Sequence, residues 1–340
     1  MLNKEWPMTK IYLSIVILSI SFCTCVTPTE DPQPYVSPGT LYAITTATTS
    51  LTDTTRGWHD GPQTPANYVA TRDIPLKVYS PAASQPGPFP LVMVSHGLGG
   101  NGDITIAYMA ETLAEHGYVV VAVQHHRSDA DYLNAHGSVA LLAAASEEET
   151  RLLRPGDITF ILDRIEAGAT GIALLDPARL DLTRIGMAGH SFGAWTTLSC
   201  LGQTFDGGTD MADPRIDCGV AYSPQGPGTL GLAVGSWDGL TKPTFTMHGT
   251  EDTAPGTNDP EERHIPFDSM PATGTKYHAT LDGAQHEDFG NIQDGFYHDW
   301  IEQMTMAFFD ANLKDESPAL DWLNAGTIED LTGYVHLEWK

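Results

Sequence analysis

The sequence predicts an α/β protein built on one mostly parallel central sheet that is flanked by helices. Short apolar runs alternate along the chain with segments of helical periodicity, which is the pattern of parallel α/β folds. The runs are apolar at consecutive positions, and residues 119–123 read Val-Val-Val-Ala-Val. A strand that is apolar on both faces is typical of a sheet covered by helices on both sides. Because the alternation is continuous, we expect a single domain.

The individual elements follow in order from these patterns. The apolar runs predict strands at residues 43–51, 74–79, 91–95, 119–124, 185–188, 219–222, 244–247 and 277–281. Helical patterns between the later strands predict helices at residues 104–115, 156–167, 192–201 and 296–312.

Composition and charge exclude two classes of protein. With 41% hydrophobic residues over 340 positions, the chain is too apolar for a disordered acidic tail and long enough for a substantial core. It carries 17 Lys and Arg against 43 Asp and Glu, a formal net charge of −26. Nucleic-acid binding depends largely on Lys and Arg that neutralise phosphates. We therefore expect a globular protein with no nucleic-acid partner.

The first residues have the pattern of an export signal. Lys4 and Lys10 precede the uncharged, mostly apolar stretch 11–22, which Cys23 and Cys25 follow. A membrane-spanning helix needs about 20 apolar residues, so this stretch better fits the core of a signal peptide. The two cysteines favour the lipoprotein type, with membrane attachment through a lipid on one of them. Ordinary secretion and a retained anchor are the alternatives.

The domain organisation follows from this interpretation. We predict a signal peptide at residues 1–24, a linker at residues 25–40 and an exported α/β domain at residues 41–340. The linker is predicted to be an extended, poorly ordered tether, because its composition is small, polar and acidic with several prolines: Pro28, Pro32, Pro34 and Pro38. The exported protein would be a periplasmic or cell-envelope lipoprotein, or secreted. We expect a monomer.

A candidate nucleophile lies in a strand–turn–helix context. Residues 189–193 read Gly-His-Ser-Phe-Gly, after the predicted strand 185–188 and before the predicted helix 192–201. In a Gly-x-Ser-x-Gly elbow the glycines allow a strained turn that exposes the serine hydroxyl above the sheet. We therefore predict Ser191 as the nucleophile.

Serine needs a base that is oriented by a carboxylate, and in this type of fold the acid and then the base follow the nucleophile in the chain. Asp252 and His286 each lie just beyond a predicted strand, at the sheet edge where ligands bind. We predict Asp252 as the acid, with Glu251 as its rival, and His286 as the base. The other late histidines fit the order less well: His248, His264, His278 and His298.

Two backbone N–H groups are expected to stabilise the oxyanion of the tetrahedral intermediate. One belongs to Phe192, the residue after the nucleophile, and the other to a loop after an earlier strand. The predicted strand 91–95 leads into His-Gly-Leu-Gly-Gly at residues 96–100, and we predict Leu98 as the second donor. The His-His-Arg sequence at residues 125–127 has no third ligand and makes a poor metal site. We interpret it as structural or substrate-lining.

These motifs resemble the plasma-type platelet-activating-factor acetylhydrolases and their bacterial relatives, which are often labelled predicted dienelactone hydrolases. The resemblance runs over residues 74–312. It lies in Val-Ser-His-Gly-Leu-Gly-Gly at residues 94–100, in Gly-His-Ser-Phe-Gly, in Arg-Pro-Gly-Asp at residues 154–157 and in Leu-Asp-Leu-Thr-Arg-Ile at residues 180–185. It implies an α/β-hydrolase fold in which residues matching Leu98 and Phe192 form the oxyanion hole. It also implies a triad of Ser191, Asp252 and His286.

The second half of the chain also resembles bacterial cutinases and polyester hydrolases. Residues 251–255 read Glu-Asp-Thr-Ala-Pro and residues 283–286 read Gly-Ala-Gln-His, similar to the loops that hold the acid and the base in those enzymes. Gln285 stands where they carry Ser, and Ala194 stands where they carry a further Gly. Dienelactone hydrolases use a Cys nucleophile, so Ser191 argues against dienelactone chemistry.

The resemblance implies a serine carboxylic ester hydrolase that works through an acyl-enzyme on short-chain acyl esters or lipids. A cutinase-like hydrolase of polyesters or aromatic esters is the alternative; an acyltransferase and an inactive binding protein are alternatives of another class. We expect a small-molecule or polymeric ester as the partner, and neither metal nor organic cofactor. Cys200 and Cys218 lie near the sheet end remote from the site, either as a disulfide or as two buried free thiols.

Overall fold

The computed structural model describes residues 32–102, 105–255, 257–290 and 295–340. The predicted signal peptide and residues 25–31 of the predicted linker lie outside these ranges, so export and lipidation stay predictions. Within the described ranges, no helix combines the length and the apolar character that a membrane crossing requires.

The described residues form a large sheet and a small hairpin. The strands are β1 (Ile44–Asp53), β2 (Trp58–His59), β3 (Tyr68–Val69), β4 (Arg72–Pro81), β5 (Phe89–Ser95), β6 (Val119–Val123), β7 (Leu180–His190), β8 (Ile216–Tyr222), β9 (Thr244–Gly249), β10 (Lys276–Leu281) and β11 (Val335–Trp339). The large sheet has the order β1-β4-β6-β5-β7-β8-β9-β10-β11, and β2 pairs with β3 in the hairpin.

The centre of the large sheet is parallel and its margins are antiparallel. Strands β6, β5, β7, β8, β9 and β10 pair in parallel, whereas β4 and β1 on one side and β11 on the other pair in antiparallel. Every residue of β6 is buried, as expected for a strand with helices on both faces. The predicted α/β-hydrolase architecture is therefore confirmed.

Helices cover both faces of the sheet. They are α1 (Ala107–Glu115), α2 (Ala130–Ala145), α3 (Glu148–Glu166), α4 (Phe192–Leu201), α5 (Ile265–Ser269), α6 (His298–Leu313), α7 (Ser317–Asn324) and α8 (Thr327–Thr332). Buried residues of α1 and α6 pack with Val92 and Val120 on one face. Buried residues of α3 and α4 pack with Leu91 and Met93 on the other face. Because successive strand residues point to opposite faces, each buried strand contributes to both layers.

The elements that the sequence did not predict lie where local patterns are weak. Helix α2 contains Gly137 with φ 82°, which divides it at a kink, and only four of its residues are buried. Helix α3 begins at Glu148, before the predicted start at residue 156, and includes Pro155 although proline is disfavoured in helix interiors. The edge strand β11 is short, and its two buried residues, Val335 and Leu337, alternate with exposed ones.

Cys200 and Cys218 are both free and buried, so the disulfide alternative is wrong. Cys200 lies on α4 and packs in the layer that contains α3 and α4. Cys218 points from β8 into the layer on the opposite face. The sheet therefore separates the two sulfur atoms. Burial raises the pKa of both thiols, which keeps them protonated.

The described part of the predicted linker is not a free tether. Tyr35 donates its backbone N–H to Gln303 Oε1 at 3.0 Å and its hydroxyl to Asp310 Oδ2 at 2.8 Å, both on α6. Its ring lies 5.6 Å from that of Trp322 on α7, and the Trp322 indole N–H donates to the carbonyl of Gln33 at 3.0 Å. The aromatic residue at position 35 thus docks this segment on the domain.

Candidate active site

The predicted nucleophile lies on a strained turn between β7 and α4. Ser191 has φ 56° and ψ −118°, a conformation that non-glycine residues seldom adopt. A Cβ atom at Gly189 would lie 2.3 Å from the carbonyl oxygen of Gly193, and one at Gly193 would lie 1.9 Å from that of Ser95. Both glycines are therefore required by close backbone approach, and they let the turn present the serine hydroxyl at the sheet edge.

The structure brings Ser191, His286 and Asp252 together. His286 Nε2 lies 2.9 Å from Ser191 Oγ, and His286 Nδ1 lies 2.7 Å from Asp252 Oδ1. Asp252 follows β9 and His286 follows β10, so neighbouring parallel strands deliver both side chains to the same edge as Ser191. In the tautomer that accepts the serine proton at Nε2, Nδ1–H donates to Asp252.

The rival residues lie elsewhere. Glu251 is exposed and accepts a hydrogen bond from Gln285, not from His286. His298 stacks on Tyr108 with 3.9 Å between ring centroids. The remaining late histidines form their own cluster, with one on β9, one directly before α5 and one on β10: His248, His264 and His278.

The carboxylate of Asp252 is fully buried and held ionised. Ser223 Oγ donates to Asp252 Oδ2 at 2.6 Å, and Arg263 Nε lies 2.9 Å from Oδ1. Burial alone would raise the pKa of this carboxyl, but the His286 hydrogen bond, the Arg263 charge and the Ser223 hydroxyl outweigh it and hold the pKa below its usual value. Asp252 therefore keeps the negative charge that orients His286, although water does not reach its carboxylate.

Sequence reasoning missed both supports of this carboxylate. Ser223 follows β8 and has φ 54°, a strained conformation that aims its hydroxyl at Asp252. Arg263 lies in a Glu-Glu-Arg-His run that resembles any solvated polar loop. Neither position carries a recognisable motif.

His190 contacts both the backbone and the ring of the proposed base, His286. Its Nε2–H donates to the carbonyl oxygen of His286 at 2.9 Å, and the two rings lie 4.7 Å apart. Burial lowers the pKa of His190 to about 3, so this ring stays neutral. The second residue of the elbow motif therefore holds the backbone of His286.

The predicted oxyanion donors line the same cavity as Ser191. Phe192 is the first residue of α4, so its N–H has no acceptor within the helix, and the positive end of the helix dipole lies there. Among the described residues, no acceptor is assigned to the N–H of Leu98. A Cβ atom at Gly97 would lie 3.4 Å from Ser191 Cβ, so the loop that carries Leu98 packs directly against the elbow.

A buried polar network holds that loop in place. Asp157 Oδ2 lies 3.0 Å from His125 Nδ1, and His125 Nε2 lies 3.0 Å from Ser95 Oγ. Arg154 donates to Ser95 Oγ at 3.0 Å and to the carbonyl oxygen of His96. All of these side chains are buried, and burial lowers the pKa of Arg154 to about 9.

Arg154 also connects the loop to α4. Its Nε donates to Thr196 Oγ1 at 2.8 Å, and its guanidinium lies 4.3 Å from the centroid of the Phe192 ring. It therefore contacts the neighbourhoods of both predicted oxyanion donors. At residues 125–127, His125 serves this network, His126 bonds the carbonyl oxygen of Asp73, and Arg127 bonds those of His59 and Gly61.

Two cavities flank the hydrogen-bonded residues. One of about 590 Å³ is lined by Ser191, the oxyanion donors, Leu142 of α2 and Leu230. One of about 380 Å³ lies beside His286 and is bordered by Glu251 and Glu287. Across the described part of the chain, no group of three or more His, Cys, Asp or Glu residues is arranged to hold a metal ion.

Comparison with known proteins supports one family. The family model for platelet-activating factor acetylhydrolase, isoform II, matches residues 63–149, which include Leu98 and end before Ser191. A platelet-activating factor acetylhydrolase from Canis lupus familiaris is 29% identical over 163 residues, which cover 39% of this chain and 34% of that protein. The chain thus spans about a third of the length of the curated relative that it matches. The predicted resemblance to this family is confirmed.

Proposed function

We propose that this chain, which resembles the platelet-activating-factor acetylhydrolases, hydrolyses carboxylic esters with Ser191 as its nucleophile. One observation carries the proposal. A continuous hydrogen-bonded path runs from the Asp252 carboxylate through the His286 ring to Ser191 Oγ, over 2.7 and 2.9 Å. These distances lie within the range in which a base can take a proton from a nucleophile.

The chemistry divides into two acyl transfers. Ser191 Oγ attacks the ester carbonyl carbon while His286 Nε2 takes the hydroxyl proton. His286 then gives this proton to the leaving alkoxide oxygen, the C–O bond breaks, and the acyl group stays on Oγ. Water, deprotonated by the same nitrogen, attacks the acyl-enzyme, and the carboxylic acid leaves as Oγ recovers its proton.

Two sets of groups stabilise the charges that develop during the reaction. The ionised Asp252 stabilises the imidazolium that forms twice in the cycle, without itself taking the proton. The N–H groups of Leu98 and Phe192 are the proposed donors to the oxyanion. Removal of one such donor typically lowers kcat by about 10²- to 10³-fold.

We propose short-chain acyl esters or lipids as the substrates. The cavity beside Ser191 offers Leu98 and Leu230 as apolar contacts for an acyl or alkyl chain. Leu142, at the rim, is 44% exposed, so the cavity continues to the protein surface. A series of p-nitrophenyl esters of increasing acyl length tests this assignment, with a phospholipid and an aromatic polyester beside it. Preference for acetyl supports the proposal, and release of aromatic diacid favours the cutinase-like alternative.

The decisive experiment compares wild type with Ser191→Ala on p-nitrophenyl acetate. Ser199→Ala is the matched control, because Ser199 also lies on α4, where its hydroxyl donates to the carbonyl oxygen of Trp195 and accepts from Gln203 Nε2 at 3.2 Å. We expect Ser191→Ala to abolish turnover and Ser199→Ala to retain it. Equal rates for wild type and Ser191→Ala would leave an inactive binding protein. Transfer of most acyl groups to an added alcohol would instead favour an acyltransferase.

We also propose that the chain is exported, with a lipid on Cys23 or Cys25. The charged start, apolar stretch and paired cysteines support this proposal. Labelling of the full chain with a radioactive fatty acid, in wild type and in Cys23→Ser and Cys25→Ser variants, identifies the modified residue. Absence of label from the wild-type chain and from both variants would favour ordinary secretion.

A further inference from the structure

Arg263 is a buried cation in contact with the proposed triad. Its Nε lies 2.9 Å from Asp252 Oδ1 and donates to the carbonyl oxygen of Asp252 at 2.9 Å. Its Nη1 donates to the carbonyl oxygen of Ser223 at 2.8 Å, and its Nη2 lies 3.2 Å from His286 Nδ1. One guanidinium therefore contacts the acid, the base and the turn that supports the acid.

The contact between Arg263 Nη2 and His286 Nδ1 does not serve as a hydrogen bond in the reactive tautomer. When Nε2 accepts the proton of Ser191, Nδ1 already carries a hydrogen that it donates to Asp252. Two donors then face each other across 3.2 Å. The positive guanidinium lies beside the ring that becomes an imidazolium, and like charges disfavour that protonation.

Opposite charges act on His286 from Asp252 and from Arg263. The Asp252 carboxylate is shared, because the same Oδ1 contacts both His286 and Arg263. His190 stays neutral, since burial lowers its pKa to about 3, and burial lowers the pKa of His248 to about 4. The nearby carboxylates on the outer loops, including the one beside Arg263, are accessible to water, which screens them: Glu251, Glu262, Glu287 and Asp288.

We propose that Arg263 is a positioning residue that fixes the Asp252 carboxylate and opposes protonation of His286. The triad then stays active at lower pH than a triad without this cation. This inference rests on the proposed ester hydrolysis.

The test measures kcat/KM for p-nitrophenyl acetate from about pH 4 to pH 9, at the isosbestic wavelength of p-nitrophenol. Arg263→Gln removes the charge and keeps hydrogen-bond donors, whereas Arg263→Lys keeps the charge and loses the planar fork. Arg263→Met replaces the Gln variant if that variant does not fold, as judged by near-UV circular dichroism. Lys276→Met is the control for loss of a buried cation, since Lys276 bonds main-chain oxygens at the opposite end of β10.

We expect the acid limb of the profile to move to higher pH by about one to two units in the neutral variant. In Arg263→Lys and Lys276→Met the limb stays where it is in wild type. An unmoved limb in the neutral variant overturns the inference, and so does an equal shift in Arg263→Lys. If wild type is no more active than Ser191→Ala, the proposed hydrolysis fails instead.

Discussion

Replacing Gly193 by Ala tests whether the close packing of the elbow against the Leu98 loop supports catalysis. The added Cβ would lie 1.9 Å from the carbonyl oxygen of Ser95, whereas ordinary contact begins at 3.4 Å, so one side must move by about 1.5 Å. Ser95 leads into the loop of Leu98, and Gly193 directly follows Phe192. The substitution therefore forces the two proposed oxyanion donors apart.

The expected loss follows from that displacement. A misplacement of about 1 Å at a reacting centre lowers the rate by roughly 10²-fold, and loss of an oxyanion donor lowers it by about 10²- to 10³-fold. The higher helix propensity of Ala stabilises the folded state by about 1 kcal/mol. It does not restore the position of the oxyanion donors. We expect kcat to fall by about 10²- to 10³-fold while KM changes little.

Steady-state kinetics on p-nitrophenyl acetate measure this effect. Gly239→Ala is the control, because Gly239 is exposed and its added Cβ would approach only the carbonyl oxygen of Gly202, at 3.0 Å. Circular dichroism establishes that both variants are folded. An unchanged kcat in folded Gly193→Ala would refute the argument that this packing holds the oxyanion donors.

Two further predictions concern the buried network and the stability of the domain. Arg154→Met removes the donors to Ser95, His96 and Thr196, so the Leu98 loop loses its connection to α4. We expect kcat to fall by about 10²-fold as a result. A folded variant with the kcat of wild type would contradict this expectation. Burial raises the pKa of Glu302 to about 7 from 4.5, so the native state loses stability as pH rises through this interval. We expect Glu302→Gln to stabilise the protein by about 1–2 kcal/mol at pH 8, after allowance for solvent screening, and to leave it nearly unchanged at pH 5. Denaturant unfolding at both pH values measures this difference, and an equal gain at both would contradict it.

The sequence alone could predict the features that depend on local constraint. The elbow at Ser191 needs glycines at fixed positions, because its backbone packs too closely for any side chain, and such spacing is visible in one dimension. The sheet was predictable because β6 and its neighbours are apolar at consecutive positions. Asp252 and His286 followed from their positions after two such strands.

The features that escaped prediction depend on distant contacts. Arg263 reaches Asp252 and His286 only because the chain folds back beside β9, and its neighbours in sequence are ordinary polar residues. The arrangement of Cys200 and Cys218 depends on which face of the sheet each side chain occupies. The sequence indicates which end of the sheet each cysteine is near, but not which face of the sheet its side chain occupies.

The network behind the Leu98 loop shows that a Ser–His–Asp set is not by itself diagnostic of an active site. Ser95, His125 and Asp157 reproduce the pairing of Ser191, His286 and Asp252, with ring nitrogens at 3.0 Å from both partners. Ser95 is fully buried and ends a regular strand, whereas Ser191 lies on a strained turn at a cavity. A search for this geometry would find both sets. Access to a cavity and backbone strain distinguish the proposed nucleophile, Ser191, from the buried Ser95.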